Sequence, residues 1–171
     1  TNLFPDGTQT SVLIGIDGGS SANLPDGTST SMLEGPDPRF GMQASLVKNQ
    51  TLSTPGGLTS NTTHTRSTTL TNPNDPLSLI AQTDTLVVNG RTYAQNYNAA
   101  TRTYTNTTPL GRQSTATVDN LGRIIQSQIA SLEPARFSYD PRGRLFSAAV
   151  GSGVEERRSI FAYNPRGYLE T

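Results

Sequence analysis

A seven-residue box recurs toward the C-terminal end of this chain, and each copy spells a tight turn between two strands. The clearest copies are Tyr139-Asp140-Pro141-Arg142-Gly143-Arg144-Leu145 and Tyr163-Asn164-Pro165-Arg166-Gly167-Tyr168-Leu169. Fainter ones are Val118-Asp119-Asn120-Leu121-Gly122-Arg123-Ile124 and Tyr97-Asn98-Ala99-Ala100-Thr101-Arg102-Thr103, the last with Thr101 in the glycine position. The copies begin at 97, 118, 139 and 163, giving steps of 21, 21 and 24 residues. A period of that size marks one supersecondary unit copied along the chain.

The chemistry of the box specifies a hairpin. Tyr139 suits a pleated surface. Asp140 accepts hydrogen bonds from amides just ahead of it, Pro141 presets φ at the first central position, and Gly143 takes the left-handed conformation that follows a type I turn. Arg144 and Leu145 then open the returning strand. The expected product is a hairpin whose loop closes with a glycine bulge. Arg142 and Arg144 as anion contacts are a second reading, disfavoured because Arg144 becomes Tyr168 in the next copy.

The N-terminal part is also duplicated. The segment from Phe4 through Pro5-Asp6-Gly7-Thr8 to Leu13 parallels the segment from Leu24 through Pro25-Asp26-Gly27-Thr28 to Leu33, at an offset of 20 residues. Proline and glycine at those places signal turns, and the residues after them alternate polar and apolar as a half-buried strand does. Between the two duplications come an irregular corner at Gly35 to Gly41, a strand at Ala44 to Leu52, a turn at Pro55-Gly56-Gly57 and a threonine-rich stretch at Thr59 to Leu70. Another turn stands at Asn72 to Pro76, and then one or two strands at Leu77 to Val88. Asn89-Gly90 is a strong hairpin signal, because both residues tolerate positive φ. A helix over Ile124 to Leu132 is conceivable, but branched isoleucines and the repeat frame favour strand. Almost no helix is expected.

Composition agrees with an all-β chain that has much solvent-facing sheet. Of 171 residues only 32% are hydrophobic and 6% aromatic, low for a compact domain. Threonine, serine, asparagine and glycine fill the gap. With 13 basic and 13 acidic residues, the chain lacks the basic excess of a nucleic-acid binder. It has no cysteine, which excludes disulfide and thiolate chemistry and leaves the compartment open. No segment approaches a membrane span.

Side chains able to carry chemistry are sparse. His64 is the sole histidine, and its polar setting reads as an exposed strand or loop residue. Asp6, Asp26, Asp37, Asp75, Asp119 and Asp140 all stand in turn contexts, where a carboxylate bonds turn amides. Asp17-Gly18-Gly19 reads as a turn rather than a calcium loop. Three Asn-x-Thr sequons, at Asn49, Asn61 and Asn106, are expected by chance in so Asn- and Thr-rich a chain. Tyr93, Tyr97, Tyr104, Tyr139, Tyr163 and Tyr168 offer stacking surfaces, and their spacing points first to cross-strand packing. No catalytic, cofactor-binding or metal-ligating residue is assigned, and no cofactor.

The boxes at 139 and 163 resemble the YD repeat of bacterial Rhs proteins, teneurins and the shell subunits of insecticidal toxin complexes. Pro25-Asp26-Gly27-Thr28, Asp37-Pro38-Arg39-Phe40-Gly41 and Pro109-Leu110-Gly111-Arg112 are similar to segments between such repeats. The resemblance is specific over residues 97 to 171 and weaker over 1 to 96. It implies an all-β chain of antiparallel hairpin repeats forming an extended, curved sheet, a segment of a hollow shell. It also implies a non-enzymatic role in a secreted or surface-exposed bacterial protein, with residues 1 to 96 an Rhs-associated β-rich region and 97 to 171 the repeats. The partners implied are the rest of a longer parent chain, of which this is read as a fragment, and a C-terminal toxin domain enclosed by the shell. Thr101 and Val118 depart from the box, so distortion is expected at both copies. A β-rich adhesin or carbohydrate-binding module using the tyrosines is the alternative, with a glycan as partner. A β-rich hydrolase is a weaker third. Open edge strands lead to the further expectation that the chain associates with itself.

Overall fold

The structure, a computed structural model, describes residues 1–170. It is all-β, with fourteen antiparallel strands hydrogen-bonded in chain order. Helix among the described residues is one 3₁₀ turn at Gly153–Glu155, so the expectation of almost no helix holds. Among the described residues, no helix is long and apolar enough to cross a membrane. The chain divides into two compact units, Thr1–Ala94 and Gln95 onward.

The first unit holds β1 (Asn2–Leu3), β2 (Gln9–Ile14), β3 (Gly19–Asn23), β4 (Ser29–Asp37), β5 (Gly41–Ser53), β6 (Thr59–Leu70) and β7 (Leu79–Val88). The division falls within β8 (Arg91–Asn98). The β7–β8 turn is Asn89-Gly90, with φ of 49° and 78°, the two left-handed residues that a type I′ hairpin demands. The corner expected at Gly35 to Gly41 is mostly strand: β4 runs through Gly35 and Pro36 to Asp37, and only residues 38–40 turn. Pro36 fits because β4 and β5 are out of register just there, between Gly35 and Asp37, where a ladder bond is already missing.

The second unit holds β9 (Thr103–Thr107), β10 (Gln113–Val118), β11 (Ile124–Ile129), β12 (Ala135–Tyr139), β13 (Leu145–Val150) and β14 (Arg157–Ile160). Ile124 to Ile129 is strand, so the repeat frame wins over the helical alternative.

Seven loops share one geometry. They begin at Phe4, Leu24, Thr54, Thr108, Asp119, Asp140 and Asn164. In each, the first residue's N–H donates to the fifth residue's carbonyl and the fourth residue's N–H donates back to the first carbonyl. The fourth residue is always glycine at positive φ, +83° at Gly143. This is the type I turn with glycine bulge that the box specifies. Phe4-Pro5-Asp6-Gly7-Thr8 and Asp140-Pro141-Arg142-Gly143-Arg144 therefore occupy one frame, although their sequences differ. The acid stands at the third loop position in the former and at the first in the latter.

Little of the molecule is dry. The only buried apolar side chains among the described residues are Val118 and Ala149. Val12, Leu13 and Ile14 of β2 are more than half exposed. Such a sheet draws less on apolar burial than a sandwich does and depends more on its ladders and on specific polar contacts.

Candidate functional site

Two constellations stand out, one in each unit. In the second unit the boxes are coupled to one another. Within a box, the aspartate serves two groups. Asp140 Oδ1 accepts from the Arg142 and Arg144 amides, both at 2.9 Å, while Oδ2 takes Arg144 Nε and Nη2 at 2.7 Å each. Asp119 does the same with the Leu121 and Arg123 amides and the Arg123 guanidinium. Partial burial works to raise each carboxyl, and the arginine and amide contacts outweigh it, leaving both below the ordinary carboxylate value.

Held this way, each arginine reaches the next box. The Arg123 guanidinium lies 4.5 Å over the Tyr139 ring, and that of Arg144 lies 4.2 Å over the Tyr163 ring. The tyrosine hydroxyls donate to the last residue of the preceding box: Tyr139 to the Ile124 carbonyl and Tyr163 to the Leu145 carbonyl, both at 2.8 Å. Arg144 Nη1 is buried with no hydrogen-bond partner. A ring face offsets part of that cost by attracting the cation. The joint thus runs from the aspartate of one box, through its arginine, to the tyrosine of the next.

The three extra residues of the 24-residue step leave the joint unchanged. Gln126 pairs with Arg136 in one step and Ser147 with Ile160 in the next, the same positions counted from the flanking boxes. The insertion is taken up at the far end of the hairpin, where the 3₁₀ turn lies.

The two departures from the box behave differently. At the Thr101 copy the turn is distorted as expected: the left-handed residue is Arg102, at φ 51°. At the Val118 copy the expectation fails, because the Asp119–Arg123 turn is regular. Valine at 118 removes only the ring, and Arg102 Nε donates instead to the Val118 carbonyl at 3.2 Å. Cross-strand packing describes Tyr97 against Tyr104, whose ring centroids are 4.6 Å apart, and also Tyr139 and Tyr163, whose cross-strand partners are the arginines Arg123 and Arg144 rather than other rings. Arg144 is committed to Asp140 and Tyr163 and is no free anion contact.

In the first unit the sheet forks. β5 pairs with β6 only over Asn49–Ser53 and Thr59–Thr63. Beyond that point β6 continues to pair with β7 alone, and β5 with β4 alone. A bulge starts the split: Leu33 pairs with Asn49 and Glu34 with Val47, leaving Lys48 as the extra residue. β6 alternates strictly between exposed and half-buried residues, which puts His64 and Arg66 on one face. Arg66 stands directly across from Asp84 on β7.

Polar groups bridge the mouth of the fork. Arg66 donates to Asp84 Oδ1 at 2.7 Å through Nε and to Asp37 Oδ2 at 3.0 Å through Nη1. His64 Nε2 meets the same Asp84 oxygen at 2.9 Å. Gln82 donates to Asp84 Oδ2 and accepts from Arg39. Asp37, 3% exposed, also accepts from the Arg39 and Phe40 amides. For both Asp37 and Asp84, burial pushes the carboxyl up, and the bonds to Arg66 and the neighbouring donors pull it further down, below its usual value.

The turn roles of Asp6, Asp26, Asp75, Asp119 and Asp140 hold, since each accepts from an amide two residues ahead. Asp17 does likewise with Gly19. Asp37 keeps its turn role and adds an ion pair. His64 lies in strand, one of the two settings expected, but it is half-buried rather than exposed and is bonded to Asp84. No protein-family model matches the chain, and no curated protein matches it.

Proposed function

We propose that this chain is a non-enzymatic wall segment of a secreted or cell-surface bacterial protein of the Rhs/YD-repeat kind. The observation that carries the reading is the joint from Arg123 to Tyr139, repeated from Arg144 to Tyr163. It couples one hairpin unit to the next without a hydrophobic core, which a thin wall with two wetted faces needs. It also occupies Tyr139 and Tyr163, removing both from the surface that the adhesin reading would use for stacking on sugars. In this reading the function resides in what the wall encloses, a C-terminal toxin domain, and the strands at the edges of the sheet pair with further strands.

The test compares the native chain with a Tyr97→Ala/Tyr104→Ala variant on a glycan array. A wall segment gives no glycan signal that depends on the tyrosines. Saturable binding abolished by the double substitution would establish the adhesin reading instead. Edge pairing is checked by sedimentation at rising concentration: mass above the monomer is expected, and a monomer throughout counts against it.

A further inference from the structure

The only lysine and the only histidine of the chain line the same cavity. It has a volume of about 300 Å³ and lies in the fork of the first unit, bounded by Pro36, Leu46, Lys48, Asn49, His64 and Arg66 with Thr63 and Thr65. We propose that it is a binding site for a small carboxylate that also carries hydroxyls, an acidic monosaccharide being the class that fits.

The position of the cavity follows from the fork. Residues 63 to 66 alternate between the two faces of β6, yet all four border the space. It therefore lies along the edge of the strand, where β5 has left. In an antiparallel ladder, alternate residues turn their main-chain groups to alternate neighbours. From His64 onward, those turned toward the fork have no strand to meet. They are donors and acceptors in place for hydroxyl groups. The volume is at the lower end of the range for small-molecule sites, about 300–1,000 Å³.

Charge selects the ligand. Arg66 is spent on Asp37 and Asp84, and His64 is bonded to Asp84. Lys48 takes part in no ion pair among the described residues, so its ammonium is the cation left for a carboxylate. The bulge that makes Lys48 the extra residue re-aims it, a recognised use of bulges beside binding sites. Gly35 lets it lie there, since a Cβ at that position would collide with Lys48 Cδ and Cε. Asp84, a carboxylate that only accepts, takes up His64 Nε2, so Nδ1 is the ring nitrogen left for a ligand. Asn49 adds an amide, and Pro36 and Leu46 offer apolar contact to a sugar ring. None of this touches the tyrosine joints, and the site stands or falls independently of the wall reading.

The probe is D-glucuronate, titrated calorimetrically into the whole chain, with D-glucose, acetate and inorganic phosphate as comparisons. Saturable binding of one glucuronate per chain is expected, at least tenfold tighter than glucose, which lacks the charge, and than acetate, which lacks the hydroxyls. Lys48→Gln, outside the ion-pair network, is expected to fold normally by circular dichroism and to lose tenfold or more in affinity. His64→Gln is expected to lose less. Binding weaker than about 10 mM, equal binding of phosphate or acetate, or unchanged affinity in Lys48→Gln overturns the proposal.

Discussion

The two units solve one problem, a sheet with almost no dry core, by different means. The second uses a serial device: aspartate to arginine to tyrosine, repeated from box to box and exposed along much of its length. The first uses a single concentrated one, in which Arg66 and two aspartates close a fork and Asp37 is almost wholly buried. A serial device spreads the loss when one member fails. A concentrated one loses most of its value at once, because the partners left behind are buried.

Asp37→Ala is expected to do the most damage. It strips a buried partner from Arg66 and from the Arg39 and Phe40 amides, at a cost of about 3 kcal/mol. Hydrogen exchange should show lost protection over β4 to β7 and little change from Gln95 onward. Uniform loss across both units would erase the distinction. Gly143→Ala ranks next. It forces a side chain to φ +83° and presses on Arg123 Nη1, 3.3 Å from the new Cβ, costing about 1–2 kcal/mol by thermal unfolding. Tyr163→Phe removes one hydroxyl bond to Leu145, about 1 kcal/mol, and its exchange effect should stay between residues 139 and 169. An effect spreading into β10 would show that the joints act as one unit.

Acid and salt sharpen the comparison further. Asp37 and Asp84 have folded-state values below the ordinary 3.8. Their contribution is therefore complete above that value and is lost as pH falls through the depressed ones. Acid unfolding, followed by the near-ultraviolet signals of the tyrosines, should begin below about pH 4, and the Asp37→Ala variant should show a weaker dependence. The smallest effect is that of salt. Added sodium chloride at about 1 M should loosen the more exposed Asp119–Arg123 and Asp140–Arg144 pairs and leave Asp37–Arg66 nearly untouched.

Hairpins, turns and the absence of helix were legible because each is fixed by neighbours in sequence. Pro141 and Gly143 suffice for a turn, and Asn89-Gly90 for another. The coupling was not legible for the same reason. Arg144 and Tyr163 look like ordinary strand residues until the register is known, although one clue was present: an arginine occupies the sixth position of the boxes that precede Tyr139 and Tyr163. The fork lay further out of reach. His64, Arg66 and Asp84 meet only because β6 and β7 pair across the turn at Asn72 to Pro76, and Asp37 joins them from another hairpin. Strict alternation along Thr59 to Leu70 does reveal that His64 and Arg66 share a face. Pairing that face with Asp84 needed the β7 register.

Strand order identical to chain order has a kinetic consequence. Every ladder joins segments adjacent in the chain, so no long loop has to close before a strand gains its partner. Loop-closure entropy stays small at each step, and nucleation at any hairpin can propagate in both directions, as in other repeat arrays. Such a chain suits vectorial emergence, each hairpin settling on the one already formed as it leaves a ribosome or an export channel.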